Sequence, residues 1–168
     1  ELIEKLESTK IYVVDIKGLL KRKPSFGTIK KLGTAKALWV EAGARTPEDC
    51  IDLIIAGAEN VVLNPATISL KSLEYCTKLT KNIILKLEFD DNNEVISYEK
   101  IKLFDIIELA KGAQLENLVV EQKNLTQNII DIFASNNLKS YLQCNKSAVA
   151  KISDWKLRGV VIPLEEVV

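Results

Sequence analysis

Seven short runs rich in β-branched and aliphatic residues recur along the chain, and most stretches between them carry helical periodicity. The runs are Ile11–Asp15, Ala37–Glu41, Asn60–Leu63, Asn82–Phe89, Leu118–Glu121, Lys139–Cys144 and Gly159–Pro163, mostly 20 to 27 residues apart. Strands alternating with helical segments of about 10 to 15 residues predict an α/β protein with a parallel sheet. The rhythm is that of a (β/α)8 barrel. Such barrels typically need about 250 residues and at least roughly 200, whereas this chain has 168. Length alone favours a five-stranded doubly wound sheet. Seven strand signals favour a barrel lacking one unit. We therefore expect a single TIM-type (β/α)8 barrel domain over 1–168, incomplete, with its first strand missing and Glu1–Ser8 forming the helix that should follow it.

Helix boundaries are written into the sequence. Thr46-Pro47-Glu48-Asp49 supplies a capping hydroxyl, a proline at the first helical position and carboxylates at the positive end of the helix dipole. Gly57 stands where a left-handed cap belongs. A second helix is expected from Ser69 to Lys81, a third ends at Gly112 with Ile101, Phe104, Ile107 and Leu109 as its apolar positions, and Asn124 caps a fourth. Asp90-Asp91-Asn92-Asn93 predicts a turn in a small hairpin extending the preceding strand.

Composition narrows the chemistry. Lys and Arg number 23 against 23 Asp and Glu, so no net charge recommends nucleic acid as a partner. No apolar run approaches the roughly 18 residues of a membrane span. Histidine is absent, which excludes a Ser-His-Asp triad and every His-bearing zinc motif. Seven glycines leave few places for backbone to cradle phosphate, and the lack of methionine suggests an incomplete chain. Cys50, Cys76 and Cys144 read as buried free thiols in a reducing cytoplasm. No signal peptide is expected.

Four stretches resemble the histidine-biosynthesis phosphoribosyl isomerase and cyclase barrels, and more closely the HisA/HisF-related branch of that superfamily. They are Tyr12-Val13-Val14-Asp15-Ile16, Ala42-Gly43-Ala44-Arg45-Thr46-Pro47-Glu48-Asp49, Ala56-Gly57-Ala58-Glu59-Asn60-Val61-Val62-Leu63 and Leu85-Lys86-Leu87-Glu88-Phe89-Asp90-Asp91. The resemblance covers about half the chain and makes these the second to fifth strands of a barrel. It implies an aldose-to-ketose isomerase with carboxylates ending the first and fifth strands, and two substrate phosphates held on loops after the third, fourth, seventh and eighth. Glu88 replaces the fifth-strand aspartate. Of the phosphate loops only Gly43 survives in the third. The others read Asn64-Pro65, Cys144-Asn145-Lys146-Ser147 and Pro163-Leu164-Glu165-Glu166, so the standard bisphosphate does not fit.

Strand side chains alternate between barrel interior and helix layer. Leu85, Leu87 and Phe89 suit the helix layer, which turns Lys86 and Glu88 into the mouth, where barrel active sites lie. The same argument directs Asp15 inward with Val13, Glu41 with Trp39, Glu121 with Val119 and Gln143 with Tyr141, with Arg45 and Lys123 close behind. Asp15 and Glu88 are the expected catalytic pair, an acid and a base. Glu41, Gly43, Arg45, Lys86, Glu121, Lys146 and Ser147 are the expected substrate contacts, the last two at the start of a helix that could hold an anion. Lys86 between the carboxylates would instead hold them ionised as a structural network. Lys21-Arg22-Lys23 reads as a solvated loop, and Trp39 and Trp155 as packing anchors. The expectation is an isomerase-like protein with a changed substrate, a small phosphorylated or cationic metabolite. The alternative is a non-catalytic paralogue that binds or senses one. No metal, cofactor, nucleic acid or membrane is expected; a homo-oligomer is compatible.

Overall fold

The computed structural model describes residue 8, residues 10–121, residue 123 and residues 125–166. The helix expected over 1–8, apart from Ser8, and the cap expected at Asn124 lie outside the described residues. The elements run β1 (Lys10–Val14), α1 (Ile16–Lys21), α2 (Phe26–Gly33), β2 (Ala37–Glu41), α3 (Pro47–Ile55), β3 (Asn60–Leu63), α4 (Leu70–Leu79), β4 (Ile83–Leu87), α5 (Leu103–Gly112), β5 (Asn117–Glu121), α6 (Gln127–Ser135), β6 (Lys139–Gln143) and β7 (Gly159–Val161). A 3-10 turn, Lys146–Ile152, stands where a helix was expected between β6 and β7.

Every neighbouring pair of strands is parallel, in the order β1-β2-β3-β4-β5-β6-β7. In a flat sheet β2 and β6, four strands apart, would stand about 19 Å from each other. Trp39 of β2 and Tyr141 of β6 nonetheless meet edge to face, ring centroids 4.9 Å apart. The sheet is therefore curled into a nearly closed, seven-stranded barrel of TIM-like type, not a doubly wound sheet.

Two apolar regions hold it together. Between sheet and helices lies the main core, to which the strands contribute Leu38, Val40, Leu85, Leu87, Leu118 and Leu142. Inside the barrel, Trp39, Val62, Ile84 and Val119 pack with Tyr12 and Tyr141. The two sets alternate along the strands from β1 to β6, as a barrel wall requires.

The helices follow their local chemistry. Thr46 accepts from the Asp49 N–H while the Asp49 carboxylate accepts from the Thr46 N–H, closing a capping box at α3. Ser69 caps α4. Ile101 precedes α5 rather than riding on it, because the chain enters that helix only at Leu103. All three cysteines are buried and unbridged. After β4 the chain turns back, and Phe89 pairs antiparallel with Val95. The Asp90 carboxylate accepts from the Asn92 and Glu94 N–H groups, so the expected hairpin forms. It fixes Glu88 from the backbone side, since the Ile96 N–H donates to the Glu88 carbonyl.

Candidate functional site at the barrel mouth

The C-terminal ends of β2 and β4 bring together one ammonium and two carboxylates. Lys86 Nζ lies 3.3 Å from Glu41 Oε2 and 3.3 Å from Glu88 Oε1. Tyr12 Oη donates to Glu41 Oε2 at 2.6 Å, and Asn64 Nδ2 donates to Glu88 Oε1 at 2.7 Å. The two ends differ in access: the Glu41 side chain is 4% exposed and that of Glu88 is 27%. Burial by itself would depress the Lys86 ammonium, but the charges of Glu41 and Glu88 outweigh it and raise its pKa above the ordinary lysine value. Lys86 is thus a fixed cation. Burial, then the Glu41 charge, pushes the Tyr12 hydroxyl far above its ordinary range, which keeps it a donor.

Asp15 is not directed inward as expected. Ile11 and Val13, which share its side of β1, pack against the helix-layer core, while Tyr12 turns into the barrel. The Asp15 carboxylate instead caps α1, accepting from the N–H groups of Lys17, Gly18 and Ser25 and from the Ser25 hydroxyl. Burial would raise its pKa, but those hydrogen bonds, led by Ser25, hold it below the usual aspartate value. An acceptor so committed is not placed to share a proton with Glu88.

The remaining expected residues divide. Glu121 and Lys123 join Glu88 around a cleft of about 320 Å³ beside the hairpin. Gln143, also at the inward end of its strand, keeps a buried Oε1 without a partner among the described residues. Arg45 lines a second cleft of about 400 Å³ at the same end of the barrel, together with Arg22 and Gly43. Its Nη1 is buried with no acceptor among the described residues. Gly43 has φ +69°, and a Cβ there would sit 3.1 Å from the Leu19 Cα, so glycine is required by the close approach of α1. The Lys146 N–H is already taken, donating to the Glu166 carboxylate at 2.6 Å, and Ser147 is exposed in the 3-10 turn. Among the described residues, no three Cys, Asp or Glu side chains gather as a metal site.

No protein-family model matches this chain, and no curated protein does. The site therefore rests on its own geometry. Tyr12 and Asn64 are the members that alternation missed. Asn64 shares parity with Val62 and could have been found by extending β3 by one residue. Tyr12 could not, because Ile11–Val14 is apolar throughout and carries no polar alternation to set its phase.

Proposed function

We propose that the chain is an isomerase-like barrel protein of the HisA/HisF-related type, which binds a small polar metabolite at its mouth and moves a proton with Glu88. The observation that carries this reading is the Lys86–Glu88 pair, a fixed cation 3.3 Å from an accessible carboxylate. An aldose–ketose rearrangement takes a proton from the carbon beside a carbonyl and returns it to the neighbouring carbon. Glu88 is the base that removes and returns it, while the hydroxyl proton passes between the two adjacent oxygens of the enediol. Lys86 stabilises the negative charge that develops on the carbonyl oxygen in the enediolate. Glu41 and Tyr12 hold Lys86 in place from the buried side. Asp15, committed to the α1 cap, has no part in this scheme.

The substrate carries one anionic group, such as a phosphate, rather than two. Arg45 and Arg22 supply cations at one cleft, which Asp49 and Asp52 also line, whereas Pro65 has no N–H to offer and Glu166 fills the Lys146 N–H. A cytoplasmic setting suits the three free thiols. Incubation with a panel of aldose and ketose phosphates in D2O, followed by NMR, reads exchange of the proton beside the carbonyl. We expect exchange with the natural chain and its loss in Glu88→Gln. Undiminished exchange in that variant removes Glu88 from the mechanism.

The use of Asp15 as a helix cap favours one competing reading, a barrel that binds a metabolite without turning it over. It predicts ligand stabilisation of about 2.7 kcal/mol at a hundredfold excess over Kd, with no deuterium incorporation.

A further inference from the structure

The zero net charge of the chain hides a strong internal division. Residues 10–36 hold eight lysines and arginines against one aspartate, whereas residues 88–121 hold nine aspartates and glutamates against three lysines. The basic excess lies on and around α1. With about 100° between successive helical residues, Ile16 and Leu20 form one row on α1, and Lys17 and Lys21 form a second row beside it. Gly18 faces inward, so close to the next loop that a Cβ would lie 2.6 Å from the Ala42 carbonyl oxygen. The helix is thereby pressed flat and its two outer rows face water. Ile16 is 59% exposed and Leu20 is 78% exposed. Lys17, Lys21, Arg22 and Lys23 are exposed as well, and none has an acidic partner among the described residues.

We propose that this face, Ile16 to Lys23, docks on an anionic lipid bilayer. Aliphatic side chains left in water beside unneutralised lysines match the two-part chemistry of a lipid interface. Acyl chains take the aliphatic row and headgroup phosphates take the basic one. A nucleic acid would engage the basic row and leave Ile16 and Leu20 wet, since bases stack on aromatic or guanidinium planes rather than on aliphatic tips. Because α1 follows the C-terminal end of β1, docking turns the barrel mouth toward the membrane surface. The expectation of no membrane partner rests on the absence of a spanning segment, which does not report a local surface. Among the described residues no helix is long and apolar enough to cross a bilayer, so the contact is peripheral.

Sedimentation of the full chain with vesicles tests this. Vesicles of phosphatidylcholine mixed with phosphatidylglycerol should carry the protein down, those of phosphatidylcholine alone should not, and added salt should weaken the association. Leu20→Glu should abolish binding, and the milder Leu20→Ser should reduce it. K21E should lower the partition coefficient at least about fivefold, while K111E, on the acidic side of the barrel, should not. Circular dichroism melts confirm that each variant is folded. Failure to sediment with the mixed vesicles overturns the proposal, as does full binding by folded Leu20→Glu. Binding of single-stranded RNA that survives Leu20→Glu would make the face a polyanion patch instead. Self-association lost in Leu20→Glu without any vesicle binding would make it a contact between copies of the chain.

Discussion

Glu41→Gln and Glu88→Gln remove the same charge from the same lysine at the same distance, yet they should differ in cost. At 3.3 Å and an effective dielectric constant of about 20, the gross attraction of Lys86 to Glu41 is about 5 kcal/mol. Desolvation offsets part of that, and breaking a buried pair costs about 3–5 kcal/mol because the survivor stays buried without its partner. In Glu41→Gln, Lys86 keeps only Glu88, so we expect about 3 kcal/mol, the lower end of that range. In Glu88→Gln, Lys86 keeps the buried Glu41, Asn64 can still donate to the amide oxygen, and the lost charge was 27% exposed. That substitution should cost about 1 kcal/mol or less. At roughly 2–4 °C per kcal/mol for a chain of this size, Tm should fall by about 6–12 °C in the first case and about 4 °C at most in the second. Urea unfolding of both variants and of Glu41→Gln with Lys86→Met measures the difference. The double variant should cost less than the sum of its single changes, since no unpaired buried charge remains. Equal losses from the two single variants, or less than about 1 kcal/mol from Glu41→Gln, would refute the assignment of Glu41 as the anchor.

Other expectations follow from neighbouring contacts. Asp15→Ala should cost about 2 kcal/mol. Because the folded pKa of Asp15 is lowered, its contribution is present above the unfolded value near 3.8 and is lost as pH falls through the lower folded value. The stability gap between the natural chain and Asp15→Asn should therefore close in acid, as pH-dependent urea unfolding would read. For Lys86, whose folded pKa is raised, the contribution is complete below the unfolded value of about 10.4 and lost only as pH rises through the folded one, so Lys86→Met should remain the less stable form across the neutral range. Gly18→Ala places a Cβ 2.6 Å from the Ala42 oxygen. Despite alanine's better helix propensity it should destabilise by about 1–3 kcal/mol in the same assay. Phe133→Ala, which empties a fully buried site against Phe89, should cost about 3–5 kcal/mol.

Strand positions were legible where polar and apolar residues alternate. In β4 the sequence Leu85-Lys86-Leu87-Glu88 has one reading as a half-polar wall, and the orientation of Lys86 and Glu88 followed from it. Helix starts were legible where a capping side chain precedes a proline or an apolar stripe, as at Thr46 and Ser69. The phase of β1 was not legible. Four consecutive apolar residues satisfy both faces of a barrel wall equally, and the only polar cue, Asp15, belongs to the next element. Its carboxylate lies one residue beyond the strand, where unpaired N–H groups at the start of α1 compete for it. The Lys86 cluster was legible in part: Glu41 and Glu88 were named, whereas Tyr12 and Asn64, on strands next to those of their carboxylate partners, were hidden by the phase of β1 and by the end of β3.

What the mouth can bind depends on which of its charged and polar groups already have partners. Asp15 is occupied by the α1 cap, and the Lys146 N–H is occupied by Glu166. Lys86 is held from both sides, with Glu41 supported by Tyr12 beneath it. Beside these, Glu88, Glu121 and Lys123 line one cleft, and Arg22 and Arg45 line a second together with Asp49 and Asp52, where Arg45 Nη1 has no acceptor among the described residues. On the proposed reading Glu88 is the base and the Arg22–Arg45 cleft takes the anionic group. One base at one cleft and one anion site at the other favour a substrate whose reacting carbon and charged group lie apart on the same small molecule. That requirement is stricter than the family resemblance by itself. On that reading a neutral sugar leaves Arg45 Nη1 unpaired, and a bisphosphate finds the Lys146 N–H already taken by Glu166.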